Sequence, residues 1–291
     1  MQLGVCQTPV LTSLETVREY IDAAASAVPT AMNTPGIPGT PGTPDAASTP
    51  GGPTPGLLLF PELFFGGFDY ANIALWASRA GELRNIFQEC ADAHGVALAA
   101  TLMEPAGESA PSAQGPFNSL YFFAPRQNGI PAGGQRIYSK IHLFPAGEHI
   151  HFQPGRPEFS PVTWEGVPIG GCICYDLRFP EIFRTQASAA PDIFVVAGQW
   201  PASRVAHWQI LLRARAVENQ CYVLACNGVG PSSLGILGGH SCLVNPQGDV
   251  VFELNSEAGS AWGAYNADAV AQARKLVASR TSPVLEVRPR S

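Results

Sequence analysis

An apolar run that ends on a cysteine and passes directly into a predicted helix start is the feature that most constrains this sequence. The residues Val167–Ile173 have the Val, Ile and Gly character of a buried strand, and Pro180 stands in the first turn of the predicted helix. Cys174 should therefore lie at a strand-to-helix turn, where backbone N–H groups favour a thiolate and can bind an oxyanion. The segment alone fits a buried structural cysteine equally well.

Two other predicted strands also end on chemically active side chains. Glu62 follows the apolar run 57–60 and a proline, and Lys140 follows the short predicted strand Gln135–Ser139. Because strand ends gather at one edge of a sheet, we expect both residues to lie near Cys174. A carboxylate in apolar surroundings can take a thiol proton, and an ammonium can stabilise an oxyanion. Taken singly, the two residues fit a helix-start glutamate and a solvated surface lysine.

Together the three segments resemble those of the nitrilase-like carbon-nitrogen hydrolases. The resemblance rests on Pro-Glu at 61–62, Lys-x-His-Leu-Phe at 140–144 and Cys-Tyr-Asp-x-Arg-Phe-Pro-Glu at 174–181, and it extends from Leu3 to about Tyr265. It implies a catalytic triad of Glu62, Lys140 and Cys174, with Glu148 as an accessory glutamate. It also implies a four-layer α-β-β-α sandwich, which doubles to eight layers in a homodimer.

A finer resemblance, to the omega-amidase branch of that family, comes from residues 198–220. Members of that branch release ammonia from 2-oxoglutaramate and related omega-amides of dicarboxylates. Most of the segment is predicted to be packing, and Trp200 is its best site candidate. The residues at helical spacing that we expect to face the core are Val205, Trp208, Leu211, Leu212 and Val217.

The expected reaction is amide hydrolysis through a cysteine thioester. Glu62 would take the proton of Cys174, and Lys140 with the backbone N–H of Tyr175 would hold the oxyanion. Water activated by Glu62 would then hydrolyse the thioester. Glu148 would position the substrate or Lys140, although a buried glutamate bonded to a neighbouring His or Lys is an equally physical interpretation.

Two arginines are candidates for binding a carboxylate of the substrate. Arg178 follows the nucleophile by four residues and could form a bidentate pair, and Arg204 could serve the same purpose. A structural salt bridge from Arg178 to Asp176 or Glu181 is the alternative.

Other functions remain open at this point. An N-carbamoyl amino-acid amidase or a deaminated-glutathione amidase would use the same triad, whereas a true nitrilase commonly has Trp where this chain has Tyr175. From a different class, a non-catalytic interaction protein could keep the fold, although the intact triad argues against it. His142, His149 and His151 with Glu148 lack a recognised ligand spacing, so we predict no metal and no cofactor.

Composition limits the partners. With 46% hydrophobic and only 14% charged residues, the chain can bury a large core and leave surface for a homodimer or higher homo-oligomer. The net charge of −6 without a Lys/Arg cluster argues against nucleic acid. We expect a cytoplasmic protein with no membrane contact, since neither a signal peptide nor a membrane span is evident. Its seven cysteines include no C-x-x-C pair and are predicted to be reduced.

Alternating helices and strands predict one α/β domain over residues 1–291. The first helix is predicted at 13–28, with Thr12 as N-cap and Glu15 completing a capping box. A Pro/Gly-rich stretch at about 29–56 has too little apolar character to offset its ordering and is predicted to be a flexible insertion. A single helix is predicted at 71–94.

Overall fold

The computed structural model describes residues 1–29, 54–106, 115–126 and 130–276, so the predicted flexible insertion at about 29–56 falls almost entirely outside the described residues. The strands, in chain order, are β1 (Gln2–Gln7), β2 (Gly56–Leu59), β3 (Val96–Glu104), β4 (Phe117–Phe123), β5 (Gln135–Ser139), β6 (Val162–Trp164), β7 (Val167–Ile173), β8 (Ile193–Gly198), β9 (Tyr222–Asn227), β10 (Val229–Ser232), β11 (Gly235–Gly238), β12 (Cys242–Val244), β13 (Val250–Glu253) and β14 (Gly259–Ala264). The helices are α1 (Leu14–Ser26), α2 (Ile73–Ser78), α3 (Ala80–His94), α4 (Glu148–His151), α5 (Pro180–Thr185), α6 (Val205–Asn219) and α7 (Ala267–Leu276).

The strands form two six-stranded sheets and a small hairpin. The first sheet has the order β14-β1-β2-β3-β4-β5, the second has the order β13-β12-β9-β8-β7-β6, and β10 pairs with β11. Strands β1, β2 and β3 are parallel, and so are β7, β8 and β9. These central strands read as nearly continuous apolar runs because both of their faces are buried.

Three apolar clusters define the layers. Leu57 and Leu59 of the first sheet share one cluster with Ile169 and Val195 of the second sheet, so the two sheets face each other. A second cluster packs α1 and α3 against the outer face of the first sheet, and a third packs α5 and α6 against the outer face of the second. The architecture is therefore a four-layer α-β-β-α sandwich, which confirms the fold expected from the sequence.

Local details of three helices differ from the predictions. Ser13, not Thr12, caps α1, because its side chain accepts a hydrogen bond from the backbone N–H of Thr16 at 3.4 Å. The predicted helix at 71–94 is divided into a short 3-10 turn, α2 and α3, since the chain turns at Arg79. In α6, Val217 is 50% exposed rather than in the core. Arg215 is buried in its place, where its guanidinium donates to the carbonyl oxygen of Leu177.

Within the described ranges, no helix combines the length and apolar character needed to cross a membrane.

Candidate active site

The ends of three strands bring together the residues of the predicted triad. Strand β5 runs parallel to β2, because two antiparallel pairings separate it from β3, so Glu62 and Lys140 follow strands that end at the same edge of the first sheet. Cys174 follows β7 in the second sheet. The backbone N–H of Glu62 donates to the carbonyl oxygen of Gly198, at the end of β8, at 3.3 Å. The site is thus assembled across the junction of the two sheets.

Glu62, Lys140 and Cys174 are in direct contact. Lys140 Nζ donates to Glu62 Oε1 at 2.7 Å, and the Cys174 thiol forms a side-chain hydrogen bond with the same carboxylate. Glu62 is 0% exposed and Lys140 is 1% exposed, whereas Cys174 is half-buried. A carboxylate, an ammonium and a thiol therefore meet in a space from which most water is excluded.

The backbone of Cys174 adopts an unusual conformation. Its φ of +46° lies in the left-handed region, which non-glycine residues rarely adopt. Cys174 begins a 3-10 turn that leads to α5, and Pro180 occupies the first turn of that helix as predicted. A strained conformation of this kind costs about 1–3 kcal/mol and persists only where the surroundings hold it in place.

Asp176 supplies much of that support. Its buried carboxylate accepts hydrogen bonds from the Tyr138 hydroxyl at 2.9 Å and from the backbone N–H of His142 at 2.8 Å. His142 Nδ1 lies 2.7 Å from the same carboxylate, and the Tyr138 hydroxyl accepts from the backbone N–H of Ile173. Asp176 therefore ties the segment after Cys174 to the segment after Lys140. From the sequence, the only contact considered for Asp176 was a salt bridge to Arg178.

Lys140 is shared between two carboxylates. Its Nζ lies 2.8 Å from each oxygen of Glu148, in addition to its bond to Glu62. Glu148 is buried, and its Oε2 also accepts from the backbone N–H of Phe144 at 2.7 Å. The single positive charge of Lys140 is therefore divided between two carboxyl groups.

Burial and charge shift the proton affinities of all three contacting groups. Burial raises the pKa of Glu62 above its usual range, which makes this carboxylate a stronger base. Burial lowers the pKa of Lys140, but the Glu148 and Glu62 carboxylates outweigh that effect and raise its pKa well above the usual value. Burial, followed by the negative charge of Glu62, raises the pKa of the Cys174 thiol. These shifts favour an ammonium on Lys140 and a neutral thiol on Cys174.

A cavity of about 390 Å³ opens onto these groups. Lys140, Glu148 and Cys174 line it, so a substrate in the cavity would contact the thiol. Five aromatic residues also line it: Phe68, Tyr70, Phe144, Tyr175 and Trp200. The remaining wall includes Arg178 and Arg204. The predicted substrate-binding residues thus surround the same space as Lys140 and Cys174 of the predicted triad.

Both cavity arginines lie on aromatic rings and have no acidic partner among the residues described. The Arg178 guanidinium lies 4.6 Å from the centre of the Trp200 ring, and its Nη2 donates weakly to His207 Nδ1 at 3.4 Å. The Arg204 guanidinium lies 5.5 Å from the centre of the Phe144 ring. Arg178 is half-buried and Arg204 is exposed.

The alternative of a structural salt bridge from Arg178 to Asp176 or Glu181 is wrong. The ion pairs found across the described ranges do not include Arg178 or Arg204. The carboxylate of Asp176 is already used by Tyr138, Ile141 and His142. Both guanidinium groups can therefore accept an acidic ligand without losing an acidic partner.

Two polar contacts of Glu62 were missed by the sequence analysis. Asn118 Nδ2 donates to Glu62 Oε1 at 2.8 Å, and the backbone N–H of Gln199 donates to Glu62 Oε2 at 3.2 Å. A signal for Asn118 exists, since it is a polar residue in the otherwise largely apolar strand β4. Gln199 directly follows β8, so the strand-end rule that selected Glu62 also applies to it.

Two of the histidines near the site take part in ring stacking, and one of them also bonds to a carboxylate. His142 bonds to Asp176 and stacks on Phe179 with ring centres 3.6 Å apart, and His151 stacks on Tyr70 at 4.2 Å. In the part of the chain that the structure describes, no three His, Cys, Asp or Glu side chains are arranged to hold a metal ion.

Comparison with known proteins places this geometry in context. A family model described as Carbon-nitrogen hydrolase matches residues 5–275. A 2-oxoglutaramate amidase from Bacillus subtilis (strain 168) is 34% identical over 205 residues, which cover 70% of this chain and 75% of that protein. An omega-amidase, YafV, from Escherichia coli (strain K12) is 43% identical over 123 residues, which cover 42% of this chain and 47% of that protein.

The fold is also similar to a solved structure. A CN-hydrolase superfamily protein from Xanthomonas campestris, solved with an arsenic adduct in its active site, has a TM-score of 0.79 at 24% identity, and the match covers 99% of each chain. The similarity of fold therefore extends over almost the whole chain, whereas the match to the Escherichia coli relative covers about half of it.

Proposed function

The chain belongs to the carbon-nitrogen hydrolase family, and we propose that it hydrolyses the terminal amide of a small dicarboxylate monoamide, releasing ammonia through a thioester on Cys174. One relative is an omega-amidase, which has this reaction type, and another is a 2-oxoglutaramate amidase.

The observation that carries the substrate class is the pair of arginines in the cavity. A half-buried guanidinium such as that of Arg178 normally finds a carboxylate partner. Neither Arg178 nor Arg204 has one in the ion pairs of the described residues. The substrate carboxylate would supply that partner. Arg178 is the stronger candidate, because it is half-buried and held against Trp200, while the exposed Arg204 would act at the rim.

The proposed chemistry begins with one proton transfer and one new bond. Glu62 takes the thiol proton as the Cys174 sulfur attacks the amide carbon. Lys140 and the backbone N–H of Tyr175 stabilise the oxyanion that forms. The proton on Glu62 then passes to the amide nitrogen, the C–N bond breaks, and ammonia leaves a thioester on Cys174.

The second half of the reaction regenerates the enzyme. A water molecule gives a proton to Glu62 and attacks the thioester carbon, and the C–S bond then breaks. Glu62 returns the proton to the Cys174 sulfur, and the product leaves as a carboxylic acid. Glu148 holds the Lys140 ammonium in place through both steps, since it contacts Nζ with both of its oxygens.

The proton affinities predict the pH dependence of kcat/KM. Glu62 must be ionised to act as a base, and burial raises its pKa above the ordinary 4.5. Activity should therefore be lost on acidification at a higher pH than an ordinary glutamate would give. The reaction starts from a neutral thiol whose pKa is raised, so no change is expected near the ordinary thiol value of 9.0.

This profile can be measured as ammonia release from about pH 4 to about pH 10. The acid limb of the profile is the pH range in which kcat/KM falls on acidification. If its midpoint lay at or below the ordinary glutamate pKa, the proposed role of Glu62 would be contradicted.

The substrate class is tested by ammonia release from a panel of amides. Succinamate and butyramide form a matched pair, because they differ in a terminal carboxylate against a terminal methyl group. We expect 2-oxoglutaramate and succinamate to be hydrolysed far faster than butyramide, glutamine or N-carbamoyl amino acids. Equal rates for succinamate and butyramide would remove the carboxylate requirement, and release only from N-carbamoyl amino acids would favour that alternative amidase.

We also propose that residues 1–291 form a single domain that acts as a homodimer. The support is the outer surface of α6, where Ile210 is 65% exposed and Val217 is 50% exposed. Light scattering coupled to size-exclusion chromatography measures the mass directly. The cytoplasmic location expected from the sequence stays a prediction.

A further inference from the structure

Glu62 lies in an environment that opposes its ionised form. The carboxylate is fully buried, and burial raises its pKa. Lys140 does not offset this alone, because its single positive charge is divided between Glu62 and Glu148. Uncharged donors must therefore supply part of the stabilisation that water would provide.

Asn118 supplies such a donor. Its Nδ2 lies 2.8 Å from Glu62 Oε1, and it is the single side-chain amide that donates to this carboxylate in the ranges covered by the structure. The backbone carbonyl oxygen of Asn118 accepts from the backbone N–H of Lys140 at 2.8 Å. Asn118 thus contacts two members of the proposed triad, one through its side chain and one through its backbone.

The two carboxylate oxygens of Glu62 accept hydrogen bonds from different donors. Asn118 and Lys140 both donate to Oε1, whereas Oε2 receives the longer bond from the backbone N–H of Gln199 at 3.2 Å. The same N–H of Gln199 forms a hydrogen bond with the Cys174 sulfur. Oε1 thus accepts from two donors, whereas Oε2 accepts from one and keeps a lone pair that can take the thiol proton.

The other end of the Asn118 amide differs. Its Oδ1 is buried and has no hydrogen-bond partner among the residues that the structure describes. A buried acceptor without a partner lowers stability, so the amide is not explained by folding alone.

We propose that Asn118 is a positioning residue for the general base: its amide holds Glu62 ionised and directs Oε2 towards the Cys174 thiol. The inference rests on the proposed role of Glu62 and adds a residue on which that role depends. It acts through Glu62, and contact with the substrate is not required.

The test measures the rate at which iodoacetamide alkylates Cys174 as a function of pH. This readout needs no substrate, so it does not depend on which amide the enzyme hydrolyses. The variant Asn118→Leu keeps a similar volume without the donor. In this variant, the pH at which the alkylation rate falls on acidification should rise by about one to two units, as expected for loss of a hydrogen bond to a charged group. In Asn118→Asp, repulsion between two carboxylates should move the limb upward further.

Gln88→Leu is the matched control. Gln88 is also a buried amide, and its Nε2 donates to the carbonyl oxygen of Ala124 at 2.9 Å, away from the cavity. This variant should lose stability and keep the wild-type limb. If Asn118→Leu does not fold, Asn118→Ser provides the same test, since its hydroxyl is too short to reach Glu62.

An unmoved limb in a folded Asn118 variant would overturn the inference and leave the proposed function intact. A wild-type enzyme whose alkylation shows no acid limb would instead contradict the role of Glu62 itself, and the inference would fail with it. A shifted limb in an enzyme that hydrolyses none of the panel would support Asn118 and reject only the substrate class.

Discussion

Cys174→Ala should abolish ammonia release, with kcat reduced by roughly 10⁴-fold or more, as for the removal of other catalytic nucleophiles. The reason is that Glu62 and Lys140 would retain their contact but would have no sulfur to form the thioester. The cavity and its arginines are unchanged, so the variant should still bind the substrate. Ammonia release and equilibrium binding of succinamate, measured on the same preparation, separate the two effects.

Cys172→Ala is the control for that experiment. Cys172 is also a buried cysteine and stands two residues before Cys174 in the chain, but it packs in the apolar cluster beneath α5 and α6. Its replacement should lower the melting temperature and leave kcat within a few-fold of the wild type. If Cys174→Ala kept substantial activity, or if Cys172→Ala alone removed it, the thioester mechanism would be wrong.

Arg178→Met should change the selectivity of the enzyme rather than its chemistry. The methionine can still lie on the Trp200 ring but cannot bind a carboxylate. We expect kcat/KM for succinamate to fall by roughly 30- to 1,000-fold, the loss typical when one partner of a buried charged pair is removed. The value for butyramide should change by less than about threefold, because that amide has no carboxylate to lose.

Arg204→Met distinguishes the two arginines. Arg204 is exposed, and exposed ion pairs contribute about 1 kcal/mol or less, so its loss should lower kcat/KM for succinamate by about fivefold at most. Equal losses for succinamate and butyramide in Arg178→Met would mean that Arg178 supports the site structurally. If kcat/KM for succinamate fell more in Arg204→Met than in Arg178→Met, Arg204 at the cavity rim would be the residue that binds the substrate carboxylate.

The residues at strand ends could be predicted from the sequence because their signal is local. Glu62, Lys140 and Cys174 each stand just after a predicted strand. The expectation that all three share one sheet edge was wrong for Cys174, which follows β7 of the second sheet and meets the other two because the sheets face each other. The four-layer architecture came from the family resemblance, since the spacing of strands does not reveal how two sheets stack.

Asn118 and Asp176 could not be found in the same way. Each acts through a hydrogen bond to a residue far along the chain, Asn118 to Glu62 and Asp176 to Tyr138. A polar residue in a strand or turn gives no indication of its partner until the fold brings the two together. The prediction of which α6 residues face the core was wrong at Val217 for a related reason. Arg215 can be buried because the carbonyl oxygen of Leu177, on another segment, accepts its hydrogen bonds.

Because the site is assembled across two sheets, activity depends on the position of one sheet relative to the other. Measurements of secondary structure do not detect a change in that position. Glu62 and Lys140 follow strands of one sheet, and Cys174 follows a strand of the other. Outside the hydrogen bonds near the site, the packing between the sheets is largely aliphatic and has little directionality. A displacement of about 1 Å between reacting groups can reduce a rate by about a hundredfold. A small displacement of one layer along the other would therefore leave every strand intact and still reduce turnover by about a hundredfold. Heating or mild denaturant should accordingly remove ammonia release before far-ultraviolet circular dichroism changes, which would make turnover a sensitive gauge of interlayer alignment.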